Sequence, residues 1–464
     1  MTDWLASAAD SAPSAPALII GEQVWSYRQL SALVDNWCGR LASLGVRAGQ
    51  AVAVSLSNGL DYICLIHALA RLGAILVPLN TRLTDAERAW QIEHSDAELH
   101  ITSVEQVMQT RPILFERAPL RLDAVQSIVF TSGTTGTPKG AQITFGNLYA
   151  GALASAERLG SSPDDRWLCP LPFYHVGGLS ILFRSPLYSS AVVLPFANDA
   201  DSIMQALHNS QSTIVSLVPT MLYRMLEAGF VSPPTLRLVL VGGAAASPQL
   251  IERCIERDLP LSLTYGMTET TSQIATMLPK GVRAKPGSVG KPLAGTSVRI
   301  VDDHGRSLLP GMYGEIVVSG GTIMRGYLGQ PPTNGTIHTG DIGYLDVDGD
   351  LWLVQRRTDL IISGGENVYP SEVENALREH PSVADACVVG IPDAEWGQRV
   401  VAMVALRDGA PLLTAADLIA FARQHLAGYK VPRSVTFVRQ LPLTSSGKIH
   451  RQAVQEQLAQ THAD

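Results

Sequence analysis

Gln126-Ser127-Ile128-Val129-Phe130-Thr131-Ser132-Gly133-Thr134-Thr135-Gly136-Thr137-Pro138-Lys139-Gly140 passes from an apolar run into small hydroxyl residues, three glycines and a lone Pro-Lys. Gln126 to Phe130 has strand character, and beyond the stretch Phe145, Leu148, Tyr149, Ala152, Leu153, Ala156 and Leu159 recur on one helical face. The pattern predicts a loop joining a strand to a helix. Its glycines let backbone N–H groups turn inward, Ser132, Thr134, Thr135 and Thr137 add hydroxyl donors, and Lys139 adds a positive charge. Such a nest suits a polyphosphate. It is not a Walker loop, because Gly140 rather than Ser or Thr follows Lys139. A flexible linker is the plain alternative, but linkers seldom lie between a buried strand and an amphipathic helix.

Outward from this stretch, strand and helix patterns alternate. Upstream the spacing predicts a helix over 27–44, a strand over 51–56, a helix over 60–72, a strand over 74–79, a helix opened by a capping box at Thr84 and Glu87, and a strand near 99–102. Alternation of this kind favours an α/β fold with a mainly parallel sheet, which binds ligands beyond the carboxyl ends of its strands. After Gly290 short strands near 297–301, 315–319 and 351–354, punctuated by Gly and Pro, predict a small β-subdomain. Beyond Arg356 come strands over 360–363, 386–390, 400–406 and 434–438, with helices from Ser371, through a capping box with Glu374, and from Thr414. These predict a separate α+β domain, so the division expected is 1–356 and 357–464.

Composition narrows the function. The 464 residues are 46% hydrophobic, enough for more than one core, and the net charge of −7 disfavours nucleic acid. Five scattered cysteines without a Cys-x-x-Cys pair signal neither a zinc site nor a disulfide framework and fit reduced thiols in a cytoplasmic protein. The N-terminus lacks a basic export signal, and the apolar stretch 65–79 is broken by Arg71, so membrane insertion is not expected.

Further motifs carry chemistry. In Leu171-Pro172-Phe173-Tyr174-His175-Val176-Gly177-Gly178-Leu179, His175 stands among aromatics and glycines suited to the wall of a pocket for a planar or acyl group, although a lone histidine also serves as a plain core or surface residue. Arg184 interrupts an apolar helix, where a guanidinium is costly without an anionic partner such as a ligand. Gly242-Gly243-Ala244 and Tyr265-Gly266-Met267-Thr268-Glu269-Thr270 follow predicted strands. Glycines there let a flat ring lie on backbone, Tyr265 offers stacking, and Glu269 is a hard oxygen ligand for Mg²⁺; ordinary turns are the bland reading. Thr339-Gly340-Asp341 presents a carboxylate to a ribose, and Thr444-Ser445-Ser446-Gly447-Lys448 puts a lysine on a loop suited to carrying charge into a cleft.

The order of these motifs resembles the acyl-adenylate-forming superfamily over nearly the whole chain. The resemblance implies a large N-terminal domain with an ATP and substrate cleft, and a small mobile C-terminal cap that rotates between two half-reactions. It also implies roles. Thr131, Ser132, Gly133, Thr134, Thr135, Gly136 and Lys139 bind the β- and γ-phosphates. Gly243, Ala244 and Tyr265 bracket adenine, with Gly266, Met267 and Thr268 beside them, and Thr134 and Glu269 serve Mg²⁺. Asp341 holds the ribose, Arg356 sits near ribose and phosphate, and Lys448 bridges the carboxylate and the α-phosphate. Ser363, Gly364 and Gly365 line a tunnel for the pantetheine arm of coenzyme A. The chain departs from the pattern at Thr358, where many relatives carry Asp or Lys as the pivot of rotation.

Two strings, 171–185 and 265–273, look like the 2-succinylbenzoate–CoA ligase branch of menaquinone synthesis. That acid has two carboxylates. The resemblance implies that Arg184 takes the one that is not activated, with His175, Ser272 and Gln273 completing the acid pocket. A fatty-acyl or aryl-CoA ligase leaves Arg184 unexplained; an adenylation domain loading a carrier protein stays open, as does a homo-oligomer. A non-catalytic regulator has no need of Lys448, Glu269 and the full loop.

Overall fold

A computed structural model of the chain describes residues 3–131, 138–356, 359, 361–363, 366–368, 370–393, 397–426, 428–444 and 448–461. It divides into two compact units, one of Met1–Arg299, Val317–His338 and Asp346–Trp352, the other of Ile300–Ile316, Thr339–Leu345 and Leu353–Asp464.

The first unit is layered α/β. One sheet runs Lys291–Pro292, Ser272–Met277, Leu261–Met267, Leu238–Val241, Ile214–Leu217, Arg166–Leu168, Ala191–Leu194, Pro16–Ile20, Gln23–Ser26. Its centre is parallel, and the antiparallel pairs lie at its two ends. A second sheet runs Gly326–Tyr327, Lys139–Thr144, Val125–Thr131, Ile75–Pro78, Ala51–Val54, Leu99–Ile101. The central strands read as unbroken apolar runs because both faces are covered: all four residues of Ile214–Leu217 and of Leu238–Val241 are buried.

Helices start where short polar side chains satisfy their first N–H groups. Ser26 with Gln29 closes a capping box over Tyr27–Ser43, and Thr84 with Glu87 closes the predicted one over Asp85–His94. Helix Leu60–Leu72 ends at left-handed Gly73 and buries His67 and Arg71 along with its apolar residues. The Arg71 guanidinium is neutralised by Asp3 at 2.9 Å and Asp35 at 2.7 Å. Among the described residues no helix is long and apolar enough to cross a membrane. The five cysteines are free and buried.

The C-terminal part of the second unit is α+β. Its sheet places Glu366–Val368, Ile361–Ser363, Gly397–Leu406 and Val383–Asp393 side by side, with Ser434–Val438 parallel to Gly397–Leu406. Strand alternation separates two cores. Val388, Val400, Ala402 and Val404 pack with Val373, Leu377 and Leu418, whereas Cys387, Val389, Val401 and Met403 pack with Val454 and Leu458.

One predicted cap is corrected here. The helix begins at Pro370, the Ser371 hydroxyl donates to the Val354 carbonyl at 2.9 Å, and Glu374 accepts from the Val388 N–H at 2.8 Å and pairs with Arg451. Ser371 and Glu374 therefore form no capping box, because a buried strand amide and a guanidinium outcompete the helix terminus for the carboxylate.

Candidate active site

The stretch after Phe130 does not run from strand to helix. Val125–Thr131 pairs antiparallel with a second strand, Lys139–Thr144, in register Thr131↔Lys139, and only then does helix Phe145–Leu159 begin at its Thr144 cap. The glycine-rich segment thus connects two antiparallel strands. Lys139 to Thr144 shows no strand period of its own because its faces are set by two neighbours: Val125–Thr131 and the two-residue strand Gly326–Tyr327. Gly140 permits that approach, since a Cβ there would lie 2.7 Å from Leu328 Cδ1 and 2.9 Å from Ile128 Cγ2. Of the candidates, Ser132, Gly133, Thr134, Thr135 and Gly136 lie outside the described residues.

Tyr265, Gly266 and Met267 complete strand Leu261–Met267 rather than forming a turn. A single 3₁₀ turn, Thr268–Thr270, reverses the chain into Ser272–Met277, with Thr271 and Ser272 at φ 54° and 108°. Gly266 is obligatory, because a Cβ would fall 1.5 Å from the Ser272 carbonyl oxygen. The turn buries Glu269 to 6% exposure, and the Tyr327 hydroxyl donates to its Oε1 at 2.7 Å. Among the described residues no cation is ion-paired with this carboxylate, so a hard, desolvated oxygen ligand is available. That donor chemistry fits Mg²⁺. Lys139 stands over the ring of the same tyrosine, its Nζ 5.4 Å from the ring centroid. Gly243, at φ 77°, and exposed Ala244 follow strand Leu238–Val241, and Tyr265 lies beside Ala275 in the sheet.

His175 caps helix Val176–Tyr188 with its side chain exposed, edge-on to Tyr174 at 4.8 Å. The segment before it is held by a residue the sequence reading passed over. Asn58 Nδ2 donates to the Leu171 carbonyl at 2.8 Å, and the Phe173 N–H donates to Asn58 Oδ1 at 3.1 Å. Gly178 admits the fold-back, since a Cβ there would lie 2.5 Å from the Pro172 carbonyl oxygen.

Arg184, on that helix, is 4% exposed and lies in a cage of neutral acceptors. Nη1 donates to Ser155 Oγ at 3.0 Å and Gln273 Oε1 at 3.1 Å, Nη2 to Ser180 Oγ at 2.8 Å and Nε to the Ser180 carbonyl at 3.3 Å. The Trp167 ring lies 5.2 Å from Cζ. Burial pulls the Arg184 pKa below its ordinary value, yet a guanidinium stays protonated at neutral pH. No described carboxylate pairs with it. Gln273 is committed inside the protein, its amide nitrogen donating to Thr276 Oγ1 at 3.0 Å and Thr264 Oγ1 at 3.4 Å. It orients Arg184 instead of offering free hydrogen bonds. Ser272 is half-buried at the start of its strand.

In the second unit the expected turn at Thr339-Gly340-Asp341 is strand instead: all three lie within Thr336–Leu345, where Gly340, at φ 70°, donates its N–H to Glu315 at 3.2 Å and the Asp341 N–H donates to Thr339 Oγ1 at 3.1 Å. Ser363 ends strand Ile361–Ser363 and is buried, and Arg356 ends strand Leu351–Arg356. Lys448 is exposed on a loop closed by hydrogen bonds between Thr444 and Lys448. Thr358, Gly364 and Gly365, and the side chain of Arg356, lie outside the described residues. Asn58 and Tyr327 carry no sequence signal of their own: an asparagine in a loop and a tyrosine in a two-residue strand match no period.

The family model "AMP-binding enzyme" matches residues 5–328, and "AMP-binding enzyme C-terminal domain" matches 372–448. The 2-succinylbenzoate–CoA ligase of Bacillus licheniformis is 41% identical, with 97% of this chain and 98% of that one covered. Among solved structures, o-succinylbenzoate CoA synthetase from Bacillus subtilis in complex with its acyl-adenylate intermediate superposes with a TM-score of 0.93 at 37% identity, covering 98% of each chain. The same enzyme in complex with ATP and magnesium gives 0.91 at 36% identity, covering 97% of this chain and 99% of the other.

Proposed function

The chain belongs to the AMP-binding enzyme family, and from that membership we propose that it is an ATP-dependent acid–thiol ligase joining 2-succinylbenzoate to coenzyme A in menaquinone biosynthesis. A carboxylate oxygen of the acid attacks the α-phosphorus of ATP, and pyrophosphate leaves. The coenzyme A thiolate then attacks the acyl carbonyl, and AMP leaves. The first attack brings like charges together, so the protein must neutralise the phosphate oxygens before the bond can form.

Residues 131–139 cradle the β- and γ-phosphates. Gly243, Ala244 and Tyr265 to Thr268 hold adenine, Asp341 holds the ribose, and Arg356 sits near ribose and phosphate. Lys448 spans the attacking carboxylate and the α-phosphate. Glu269, with Thr134, holds Mg²⁺, which when bound spreads the charge of the leaving pyrophosphate. Ser363, Gly364 and Gly365, in a C-terminal domain taken as 357–464, receive the pantetheine arm. On this reading the enzyme works on small molecules in the cytoplasm, where buried reduced thiols persist.

The observation that carries the choice of acid is Arg184. A desolvated guanidinium that meets only neutral acceptors among the described residues calls for an anion to compensate its burial, and the second carboxylate of 2-succinylbenzoate supplies one. His175 and Ser272 complete the acid pocket, and Gln273 holds Arg184 in place.

A pyrophosphate-release screen across carboxylic acids, with and without coenzyme A, tests the proposal. 2-Succinylbenzoate should give the highest kcat/KM, and its thioester should form only with coenzyme A. Preference for a monocarboxylic acid, or turnover only with a phosphopantetheinyl carrier protein as acceptor, would overturn it.

A further inference from the structure

Tyr327 ends the short strand Gly326–Tyr327, pinned to the hairpin by Gly326↔Gln142 and Tyr327↔Ala141 pairing and by the Leu328 N–H to the Gly140 carbonyl at 2.8 Å. The residues before it are tied elsewhere. Asn147 Nδ2 donates to the carbonyls of Gly321 at 2.9 Å and Ile323 at 2.7 Å, and the Met324 N–H donates to the Glu269 carbonyl at 2.9 Å. The tyrosine is thereby fixed between the phosphate hairpin and the Glu269 turn, and it touches a functional group of each. Its hydroxyl donates to Glu269 Oε1 at 2.7 Å, and its ring lies 5.4 Å from Lys139 Nζ.

We infer that Tyr327 is a positioning residue that sets the Glu269 carboxylate for the divalent cation and steadies Lys139 for the triphosphate, so that metal and nucleotide meet a preformed pair. This rests on the reading of Glu269 as the Mg²⁺ ligand. The torsion that turns a glutamate carboxylate is soft and roughly two-fold. A donated hydrogen bond on Oε1 selects one orientation and leaves the remaining lone pairs for a hard cation. Hydrogen-bond partners of this kind behind a metal ligand typically change metal affinity by about tenfold to a hundredfold. The ring's negative face supplies a second, separable effect on Lys139.

Two substitutions divide these effects. Tyr327→Phe keeps the ring and removes the hydroxyl; Tyr327→Leu removes both. Affinity for Mn²⁺ in the presence of saturating ATP is read by electron paramagnetic resonance, and affinity for metal-free ATP by calorimetry. Tyr327→Phe should weaken Mn²⁺ about tenfold or more while metal-free ATP binds within about twofold of wild type. Tyr327→Leu should weaken Mn²⁺ as much and also lower metal-free ATP affinity by about two- to fivefold. Because the tyrosine acts through the carboxylate, adding Tyr327→Phe to Glu269→Gln should cost no further Mn²⁺ affinity.

Wild-type Mn²⁺ affinity in Tyr327→Phe, alongside a large loss in Glu269→Gln, would overturn the role of Tyr327 and leave Glu269 as the ligand. Unchanged Mn²⁺ affinity in Glu269→Gln would overturn the reading of Glu269 itself, and the inference with it. Equal losses of Mn²⁺ and metal-free ATP in Tyr327→Phe, with a lowered melting temperature, would assign the hydroxyl a structural role only.

Discussion

Among the described residues Arg71 and Arg451 each meet two carboxylates, Asp3 with Asp35 and Glu374 with Asp359, whereas Arg184 meets only neutral acceptors. The same side chain therefore has described carboxylate partners in two places and none in the third. Arg184→Ala should lower kcat/KM for 2-succinylbenzoate by about thirtyfold to several thousandfold, the range expected when one partner of a desolvated charged pair is lost. The comparison substrate replaces the aromatic carboxylate by hydrogen and keeps the succinyl carboxylate that is activated; the mutant should lose little on it. Arg184→Lys should restore only part, since a fork of donors becomes a point charge. Equal losses on both acids would make Arg184 structural. Lys448 is assigned to adenylation alone. Lys448→Ala should slow pyrophosphate release by about a hundredfold or more, equivalent to about 3 kcal/mol of transition-state stabilisation. Thioester formation from preformed acyl-adenylate should be nearly unaffected, and parallel loss in both steps would refute the assignment.

Antiparallel strand pairs, more than helix termini, flank the candidate segments. The segment 132–137 joins two antiparallel strands, the Glu269 turn joins two more, and 364–365 sit between Ile361–Ser363 and Glu366–Val368, which pair in register Ser363↔Glu366. Gly364 and Gly365 carry no side chains and are proposed to receive the pantetheine arm. Gly364→Leu or Gly365→Leu should block transfer to coenzyme A while pyrophosphate release stays within a few-fold of wild type. Comparable damage to both half-reactions would show the glycines to be needed for the turn itself.

Stability against pH reports on the first unit as a whole. Burial pushes the His67 pKa down from 6.5 to about 4, with Asp3 opposing and Arg71 reinforcing the shift. Between those values the unfolded chain binds a proton that the folded chain refuses, so stability is complete above pH 6.5 and is lost as pH falls towards 4. The gap corresponds to on the order of 3 kcal/mol. Denaturant midpoints measured from pH 7 to 4.5 should fall more steeply for wild type than for His67→Gln, and parallel curves would show that the buried imidazole does not set the slope. Much of the architecture was legible without coordinates. Strand Ser434–Val438, helix Leu60–Leu72 and the Thr84–Glu87 box follow from period and capping, which act between residues close in the chain. The order of Thr-Ser-Gly, Tyr-Gly-Met-Thr-Glu, Thr-Gly-Asp and Ser-Gly-Lys indicated adenylate chemistry through its resemblance to the acyl-adenylate-forming superfamily; the backbone and charge of the motifs alone pointed to a polyphosphate and a hard cation. Strand Lys139–Thr144, the inward turn of Glu374, the commitment of Gln273 to Arg184 and the seat of Tyr327 between Lys139 and Glu269 were decided only by the tertiary structure. Each depends on a partner at least fourteen positions away, the strand through its pairing with Gly326–Tyr327; local propensity does not encode which buried donor will reach an acceptor first.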